Sequence, residues 1–435
     1  MTDREIQERM RDDWDRRARE DAGYYVAFGR RRQSPQEFFA SASEALHAIQ
    51  YELRRFPPEA GLGSLAALEI GCGPGRLMLP LSRVFGHVAG VDVSPEMVEL
   101  ARKNLAEVPH ARVAATSGSD LAAFAAGAFD FCYSYAVFQH IPSRDAVWSY
   151  LREAWRVLKP GGILKCQFNG LPETGPRDAD TWNGSRFRPE ELRAFCRDQD
   201  FQLLLLDGAN TQNLWMAARK QPRGWAASLG PAPGARLLRI TNTYTSDLVV
   251  PAAGRFASAS LWLENLTEDA DLNRLEVELA GRRVPPCYIG RYAWKGPTQV
   301  NVFLPSGTPT GLVRARLWML GEPVSGFARL RVVPPPPSVP RLLSVTDGIN
   351  LLSKSRIETR TVKVDVEEAG EAAPQLSADL DGEPLEGQEL VCVDPVAERY
   401  AINASVPASV PAGPHLLTVW LRGRVLARTT VELAG

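Results

Sequence analysis

The feature that most constrains this chain is a short apolar run that ends in three alternating glycines. Residues 65–70 (LAALEI) are followed directly by the turn GCGPG at residues 71–75. A short apolar run bounded by glycines is typical of a buried strand. Gly71, Gly73 and Gly75 allow close approach of a ligand and backbone torsion angles that other residues avoid. Because an apolar helix start follows, the segment predicts a strand, a tight turn and a helix N-terminus suited to an anionic group.

The turn alone is weak evidence, since dinucleotide-binding folds use similar turns. A second strand-like run at residues 88–91 ends in Asp92, and the segment VSPEM at residues 93–97 then begins a helix. An acidic residue roughly twenty positions after such a turn accepts hydrogen bonds from ribose hydroxyls. Further runs at residues 129–133 and 163–168 alternate with helix-like stretches. This alternation predicts a parallel sheet covered on both faces, that is, an α/β Rossmann-like fold.

The order of these motifs resembles class I S-adenosylmethionine-dependent methyltransferases, in which E/D-x-G-x-G-x-G is followed by G-x-D-x-S-x-x-M. The resemblance continues through GSDL at residues 118–121, FDF at 129–131, YAVFQHI at 135–141 and EAWRVLKPGG at 153–162. It covers residues 1–220 of the 435 in the chain. It implies an enzyme that binds S-adenosyl-L-methionine, transfers its methyl group and leaves S-adenosyl-L-homocysteine.

The resemblance also implies the cofactor contacts. Glu69 and Gly71 would hold the methionine amino end, and Asp92 would bind the ribose. Val93 and Met97 would flank the adenine. The implied cofactor-binding set is Glu69, Gly71, Cys72, Gly73, Gly75, Asp92, Val93, Met97, Ser119, Asp120, Leu121, Ser134, Tyr135 and Phe138.

The N-terminal segment offers two interpretations. Residues 14–25, which include Trp14 and Tyr25, resemble the lead-in of a subset of these enzymes, where a helix folds over the cofactor. In that case both aromatic residues would bind the cofactor. The alternative is a solvated, charged helix that is held in place by Trp14.

His140 is the candidate catalytic base, because it follows the fourth strand at the sheet edge where open α/β folds place their sites. The alternative, which we favour, is that His140 caps the strand end and shapes the pocket wall. Gln139, Asn169 and Trp182 are candidate substrate contacts near the same edge. Here too the structural alternative is favoured, with residues 181–187 forming a loop held by Trp182.

The second half of the chain changes character. Short alternating strands and turns predict two all-β sandwiches that resemble bacterial immunoglobulin-like modules. Asn301, Trp318 and Gly321 recur as Asn403, Trp420 and Gly423 at one constant offset. The expected boundaries are a methyltransferase domain at 1–220, a linker at 221–234, a β sandwich at 235–333, a Pro-rich linker at 334–340 and a β sandwich at 341–435.

The role of these modules stays open at this point. They would bind a carbohydrate or protein partner, mediate self-association such as a homodimer, or form a rigid scaffold beside the active site. The first role would be supported by exposed aromatic residues, which are densest at Tyr288, Tyr292 and Trp294.

The overall composition limits the partners. The formal net charge is −1, which gives no electrostatic reason to expect a nucleic-acid partner. The six cysteines form no C-x-x-C pair, so we expect no metal site and free thiols in the cytoplasm. No apolar run suggests a membrane span. The preferred acceptor is a small molecule or a glycan, methylated on oxygen or nitrogen. The alternative function is a non-catalytic S-adenosylmethionine-binding scaffold or interaction protein.

Overall fold

The computed structural model describes residues 3–27, 32–172, 180–182, 184–228, 234–254, 256–291, 295–337, 339–348, 355–394 and 397–434, apart from the side chains of residues 3, 44 and 371. The α helices are α1 (Asp3–Ala27), α2 (Pro35–Ala40), α3 (Ser43–Gln50), α4 (Met78–Leu81), α5 (Pro95–Asn104), α6 (Arg144–Val157), α7 (Pro189–Asp198) and α8 (Trp225–Ser228). Short 3-10 helices span Tyr51–Arg55, Pro58–Ala60, Leu62–Ser64, Phe138–His140 and Gly370–Gln375.

The strands of the N-terminal half are β1 (Ala66–Ile70), β2 (His87–Asp92), β3 (Ala111–Ala115), β4 (Phe129–Ser134), β5 (Leu158–Phe168), β6 (Phe201–Asp207) and β7 (Leu214–Lys220). The strands that follow are β8 (Arg236–Asn242), β9 (Val249–Pro251), β10 (Ser258–Glu264), β11 (Leu275–Leu279), β12 (Arg282–Val284), β13 (Tyr288–Arg291), β14 (Thr298–Phe303), β15 (Gly311–Met319), β16 (Glu322–Pro323) and β17 (Ala328–Val333). The last strands are β18 (Arg341–Asp347), β19 (Arg356–Ile357), β20 (Thr361–Glu367), β21 (Leu376–Leu380), β22 (Glu383–Pro384), β23 (Glu386–Asp394), β24 (Arg399–Ser405), β25 (Gly413–Leu421) and β26 (Arg424–Leu433).

The N-terminal half is a Rossmann-like α/β unit, as the sequence predicts. Its strands are ordered β3-β2-β1-β4-β5-β7-β6. The first five run parallel, and β7 runs antiparallel to both of its neighbours. Because the parallel strands share one direction, the turns after β1, β2 and β4 meet at a single edge of the sheet, where such folds bind ligands. The predicted Pro-Gly-Gly turn lies inside β5, where the register with β4 shifts and Gly161 has a φ of +80°.

The α/β sheet continues into the first β module. Strand β6 pairs antiparallel with β13 through Leu205 and Tyr288, and the Leu206 amide donates to the Cys287 carbonyl over 2.8 Å. The combined sheet has eleven strands, in which β13, β14, β10 and β8 extend the α/β sheet. A single hydrophobic core runs from Leu68 in β1 to Leu317 in β15. The two units are therefore joined by sheet pairing and by a shared core.

The C-terminal half is rich in β strands, in agreement with the predicted all-β modules. The first module adds a six-stranded sheet, and the second has its own four- and five-stranded sheets. Trp318 donates its indole N–H to Glu278 over 2.7 Å, and Trp420 likewise donates to Asp379. In both modules the tryptophan and its carboxylate lie on neighbouring antiparallel strands. The repeated contact supports the structural equivalence of the two modules.

The segment after residue 220 is packed against the rest of the molecule. Trp225 of α8 is buried, and the Arg274 guanidinium lies 4.2 Å from its ring centre. The Asp200 carboxylate accepts hydrogen bonds from the Gly224 and Ala226 amides. Residues 229–233 of the expected linker lie outside the described residues.

Two further structural facts concern the described part of the chain. No helix there is long and apolar enough to cross a bilayer. No group of three or more His, Cys, Asp or Glu side chains in it would hold a metal ion. All six cysteines carry free thiols.

Candidate functional site

The glycine turn after β1 has the strained geometry that only glycine adopts readily. Gly71, Gly73 and Gly75 have φ values of +73°, +51° and +85°. A Cβ atom on Gly71 would lie 2.4 Å from a Val137 methyl group, so any side chain there would clash. The Gly71 and Cys72 amides both donate to the Val91 carbonyl, over 2.8 and 2.9 Å. These bonds hold the turn against the end of β2.

Asp92 lies at the end of β2 and is fixed by two backbone amides. Its Oδ2 accepts from the Gly73 amide over 2.8 Å, and its Oδ1 accepts from the Ser94 amide over 2.9 Å. Burial raises the pKa of Asp92 to about 6, against the lowering effect of these two hydrogen bonds. A carboxylate held in this way has a fixed orientation, and its remaining lone pairs can accept a further hydrogen bond.

The turn and Asp92 open onto a cavity with about 860 Å³ of empty space. Eleven residues that the sequence predicts as site residues line the cavity, namely Trp14, Tyr25, Glu69, Gly71, Cys72, Gly73, Asp92, Val93, Met97, Tyr135 and His140. Residues far apart in the chain therefore meet at one sheet edge.

The other predicted residues do not line this cavity, and they are Gly75, Ser119, Asp120, Leu121, Ser134, Phe138, Gln139, Asn169 and Trp182. Leu121 and Phe138 are buried in the hydrophobic core, and Ser134 donates its hydroxyl to the Ile70 carbonyl over 3.0 Å. The Asp120 Oδ1 accepts from the Ala122 amide over 2.9 Å. The structure places these side chains in supporting contacts, and their binding roles stay predictions.

Two ionisable side chains stand at the glycine-turn end of the cavity. Glu69 is buried, accepts the Tyr133 hydroxyl over 3.0 Å, and has a pKa that burial raises to about 8. Arg76 is 7% exposed, and its Nε is buried without a hydrogen-bond partner, while its Nη1 donates to the Ser41 carbonyl over 3.0 Å. Arg76 is not among the site residues predicted from the sequence. Its position directly after the third glycine was the available signal.

Helix α1 covers the cavity. Met10, Trp14, Tyr25 and Val26 all line it, although the helical geometry breaks at Asp21. Met10 is 2% exposed, so this face of α1 is packed against the domain.

Polar contacts hold α1 near its middle. The Asp15 Oδ1 accepts the Ser94 hydroxyl over 2.5 Å and the Glu96 amide over 3.2 Å, at the start of α5. The Arg17 guanidinium donates to the Thr181 carbonyl and hydroxyl over 3.1 and 3.0 Å. Helix α1 is thus anchored to two separate elements around the cavity.

His140 belongs to an aromatic wall of the cavity. Its ring centre lies 5.8 Å from that of Trp14 and 5.7 Å from that of Trp182. Nδ1 is 2.9 Å from the Trp182 carbonyl, so this nitrogen carries the proton, and Nε2 accepts from the Gln139 amide over 3.2 Å. Burial lowers the pKa of His140 to about 4. A neutral imidazole with both nitrogens engaged is a weak base.

The three predicted substrate residues have different environments. Gln139 accepts from the Gln167 amide over 2.8 Å, and Asn169 accepts from the Leu171 amide over 3.1 Å. Trp182 lies behind His140, and the Arg17 guanidinium is 5.2 Å from its ring centre. Trp182 thus supports the cavity wall, while Asn169 lies in a loop contact.

Comparison with known proteins connects this geometry to a family. Residues 68–166 match a family model described as a methyltransferase domain. Ubiquinone biosynthesis O-methyltransferase of Xanthomonas oryzae pv. oryzae (strain PXO99A) is 34% identical over 121 residues, which are 27% of this chain and 49% of that protein. The protein of the same name from Xanthomonas axonopodis pv. citri (strain 306) is 35% identical over 125 residues, with the same coverage. The chain spans about half the length of the curated relatives it matches.

Solved structures give similar matches. Magnesium protoporphyrin IX methyltransferase from Synechocystis PCC 6803 with bound S-adenosylmethionine is 16% identical, with a TM-score of 0.37, over 50% of this chain and 97% of that chain. A methyltransferase structure from Methanosarcina mazei is 21% identical, with a TM-score of 0.31, over 38% of this chain and 98% of that chain. The family match, set within the Rossmann-like unit, shows that this chain contains a methyltransferase domain.

Proposed function

We propose that this protein is an S-adenosylmethionine-dependent methyltransferase that transfers the methyl group to an oxygen atom of a small molecule. The observation that carries the proposal is Asp92, held by the Gly73 and Ser94 amides at the wall of a cavity that helix α1 partly covers. The match of residues 68–166 to a methyltransferase-domain model supports it. The relatives named as O-methyltransferases favour oxygen as the accepting atom.

The residues present fit S-adenosylmethionine, which supplies an already activated methyl group. Asp92 would accept the ribose hydroxyls, and Glu69 would hold the ammonium of the methionine end. The unpartnered Nε of Arg76 would donate to its carboxylate. Met97 and Val93 supply apolar surface on the Asp92 side for the adenine. Each group of the cofactor therefore has a complementary neighbour.

The chain's own contribution is alignment and exclusion of water. Positioning of two reactants supplies on the order of 7–11 kcal/mol of a transfer barrier. Trp14, Tyr25 and His140 form the aromatic part of the cavity wall. With both ring nitrogens engaged, His140 fixes Trp182 and Gln139, and we assign it to the wall. A planar small-molecule acceptor fits such a wall better than a long polymer does.

Binding calorimetry with S-adenosylmethionine and S-adenosylhomocysteine tests this proposal. Asp92→Asn should weaken the affinity for both by about tenfold to a hundredfold, because hydrogen bonds to a charged acceptor contribute about 1.5–3 kcal/mol. The introduced amide would also point an N–H₂ group at a backbone N–H. Asp198→Asn, on the exposed end of α7, is the matched control and should bind normally. Absence of binding by the unmodified protein would overturn the proposal.

A further inference from the structure

A second cavity lies where the α/β unit meets the first β module. It contains about 650 Å³ of empty space and shares no lining residue with the cavity at Asp92. Its walls come from the 3-10 helix Tyr51–Arg55, from β6 and β7, from β13 and β14, and from residues 267–270. Both units therefore contribute to one cavity at their junction.

The lining is strongly basic. It includes Arg54, Arg55, Arg219 and Arg291, against the single acidic residue Glu268. Glu268 pairs with Arg291 at 3.6 Å and is 82% exposed at its side chain. The junction thus carries an excess of positive charge on the described residues that line it.

The carboxylate behind Arg55 does not neutralise this excess. Glu52 is fully buried and accepts from Arg55, but it also accepts from the buried Lys165 ammonium over 2.8 Å. One carboxylate is therefore shared by two cations. With all three groups ionised, the Arg55–Lys165–Glu52 cluster carries one net positive charge, and the buried Asp207 carboxyl, whose pKa burial raises, also interacts with Lys165.

Arg55 has an unused donor at this place. Its side chain is 8% exposed, its Nη1 donates to the Ile289 carbonyl over 2.7 Å, and its Nη2 is buried without a hydrogen-bond partner. A buried guanidinium N–H without an acceptor is unfavourable, and an acceptor bound beside Arg55 would relieve this cost.

Arg219 adds a second guanidinium from the opposite wall. Its Nη2 donates to the Arg55 carbonyl over 3.3 Å. Burial lowers the pKa of Arg219, and the nearby positive charges of Arg55 and Arg291 lower it further, against Glu268. An oxyanion between these side chains would remove their repulsion and accept their hydrogen bonds in the paired geometry that guanidinium prefers.

We propose that this junction cavity binds a phosphate monoester of a small organic molecule. The arginines would hold the phosphate, and the remaining wall combines Gln202, Thr267 and Thr298 with the apolar Leu204 and Ile289. The apolar side chains of Leu204 and Ile289 would contact an organic group on the phosphate. Because β6 and β13 both line the cavity, the ligand would stabilise the junction of the two units.

Thermal unfolding and calorimetry on the full chain test this, with phenyl phosphate, inorganic phosphate and chloride at equal ionic strength. Phenyl phosphate should raise the unfolding temperature in a saturable manner and bind more tightly than inorganic phosphate. Arg219→Gln should weaken that binding at least tenfold. Arg331→Gln, an exposed arginine on β17, is the matched control and should bind as the unmodified protein does.

Each outcome decides the proposal. If phenyl phosphate has no effect beyond that of chloride, or if Arg219→Gln binds it normally, the cavity is not its site. Equal affinity for inorganic phosphate would overturn the organic part of the proposal. If Arg219→Gln does not fold, Arg291→Gln decides in its place, because Arg291 is partly exposed and lines the same cavity. Normal binding by that variant would overturn the proposal.

Discussion

Glu69 is a buried carboxyl group whose pKa burial raises to about 8, although the Tyr133 hydroxyl and Arg76 both lower that pKa. At pH 7 the group is therefore mostly protonated in the cofactor-free protein. An ammonium placed against it favours the ionised carboxylate. We expect binding of S-adenosylmethionine at pH 7 to release roughly one proton from Glu69. Calorimetry in buffers of different ionisation enthalpy measures this release directly.

The control for proton release is Glu69→Gln, which keeps the shape of the side chain but cannot ionise. Its binding enthalpy should not depend on the buffer, and its affinity should fall. The sign of the pH dependence follows from the same shift. Because the ionised form binds the ammonium, affinity of the unmodified protein should rise as pH increases toward 8. A buffer-independent enthalpy in the unmodified protein would contradict the assignment of Glu69.

Among the elements, α1 is the one whose role depends most on tertiary contacts. Trp14 lies between the cavity and the Arg17 guanidinium, which is 4.7 Å from its ring centre. Trp14→Ala should remove part of the cavity wall and loosen the anchor to Thr181. We expect about a tenfold weaker affinity for S-adenosylmethionine and faster dissociation, measured by stopped-flow fluorescence or surface plasmon resonance.

Arg16→Ala is the matched control for α1, because Arg16 lies on the exposed face of the same helix and forms an ion pair with Asp13. It should leave affinity and dissociation rate unchanged. If Trp14→Ala also binds normally, α1 packs on the domain without taking part in cofactor binding. In that case its contacts with Ser94 and Thr181 would serve stability alone.

The glycine turn and Asp92 were predictable because their signals are local. Residues 68–75 dictate a strand and a turn by their own torsional preferences, and Asp92 ends the next strand. The contacts of α1 were not predictable in this way. Arg17 and Thr181 are 164 positions apart, and the spacing of neither residue indicates the other. Arg76 was missed for a similar reason, since its burial depends on Ser41 in a separate helical segment.

At the scale of the whole molecule, the pairing of β6 with β13 determines which parts of the chain can be separated into domains. Sequence patterns place strands, but the partner of an edge strand depends on packing between distant segments. Tyr288, one of the aromatic residues considered for carbohydrate binding, is buried against Tyr51 at this junction, with hydroxyl oxygens 3.3 Å apart. Tyr292 and Trp294 lie outside the described residues. The first β module is thus built onto the methyltransferase domain.

Truncation distinguishes the two β modules. Ending the chain at residue 228 removes the partner of β6 and the carbonyl groups of Leu272 and Pro286, to which Arg193 donates over 2.7 and 2.8 Å. It also removes the Ile289 carbonyl that the buried Arg55 uses. Truncation also exposes apolar side chains of the core that the two units share, and apolar burial is the main favourable contribution to the stability of an ordinary domain. We expect residues 1–228 to aggregate or to unfold at a markedly lower temperature.

Ending the chain at Pro337 instead removes only the second module, which has a hydrophobic core of its own. Its contact with the α/β unit through Arg186 and Glu389 is 3.7 Å long and partly exposed, and such a pair contributes about 0–1 kcal/mol. Residues 1–337 should therefore keep the unfolding temperature of the α/β unit and bind S-adenosylmethionine within about twofold of the full chain. Calorimetry on both truncated proteins measures their unfolding temperatures and their affinities for S-adenosylmethionine. If residues 1–228 are as stable as residues 1–337, the shared sheet does not support the methyltransferase domain, and the first module is a separable appendage.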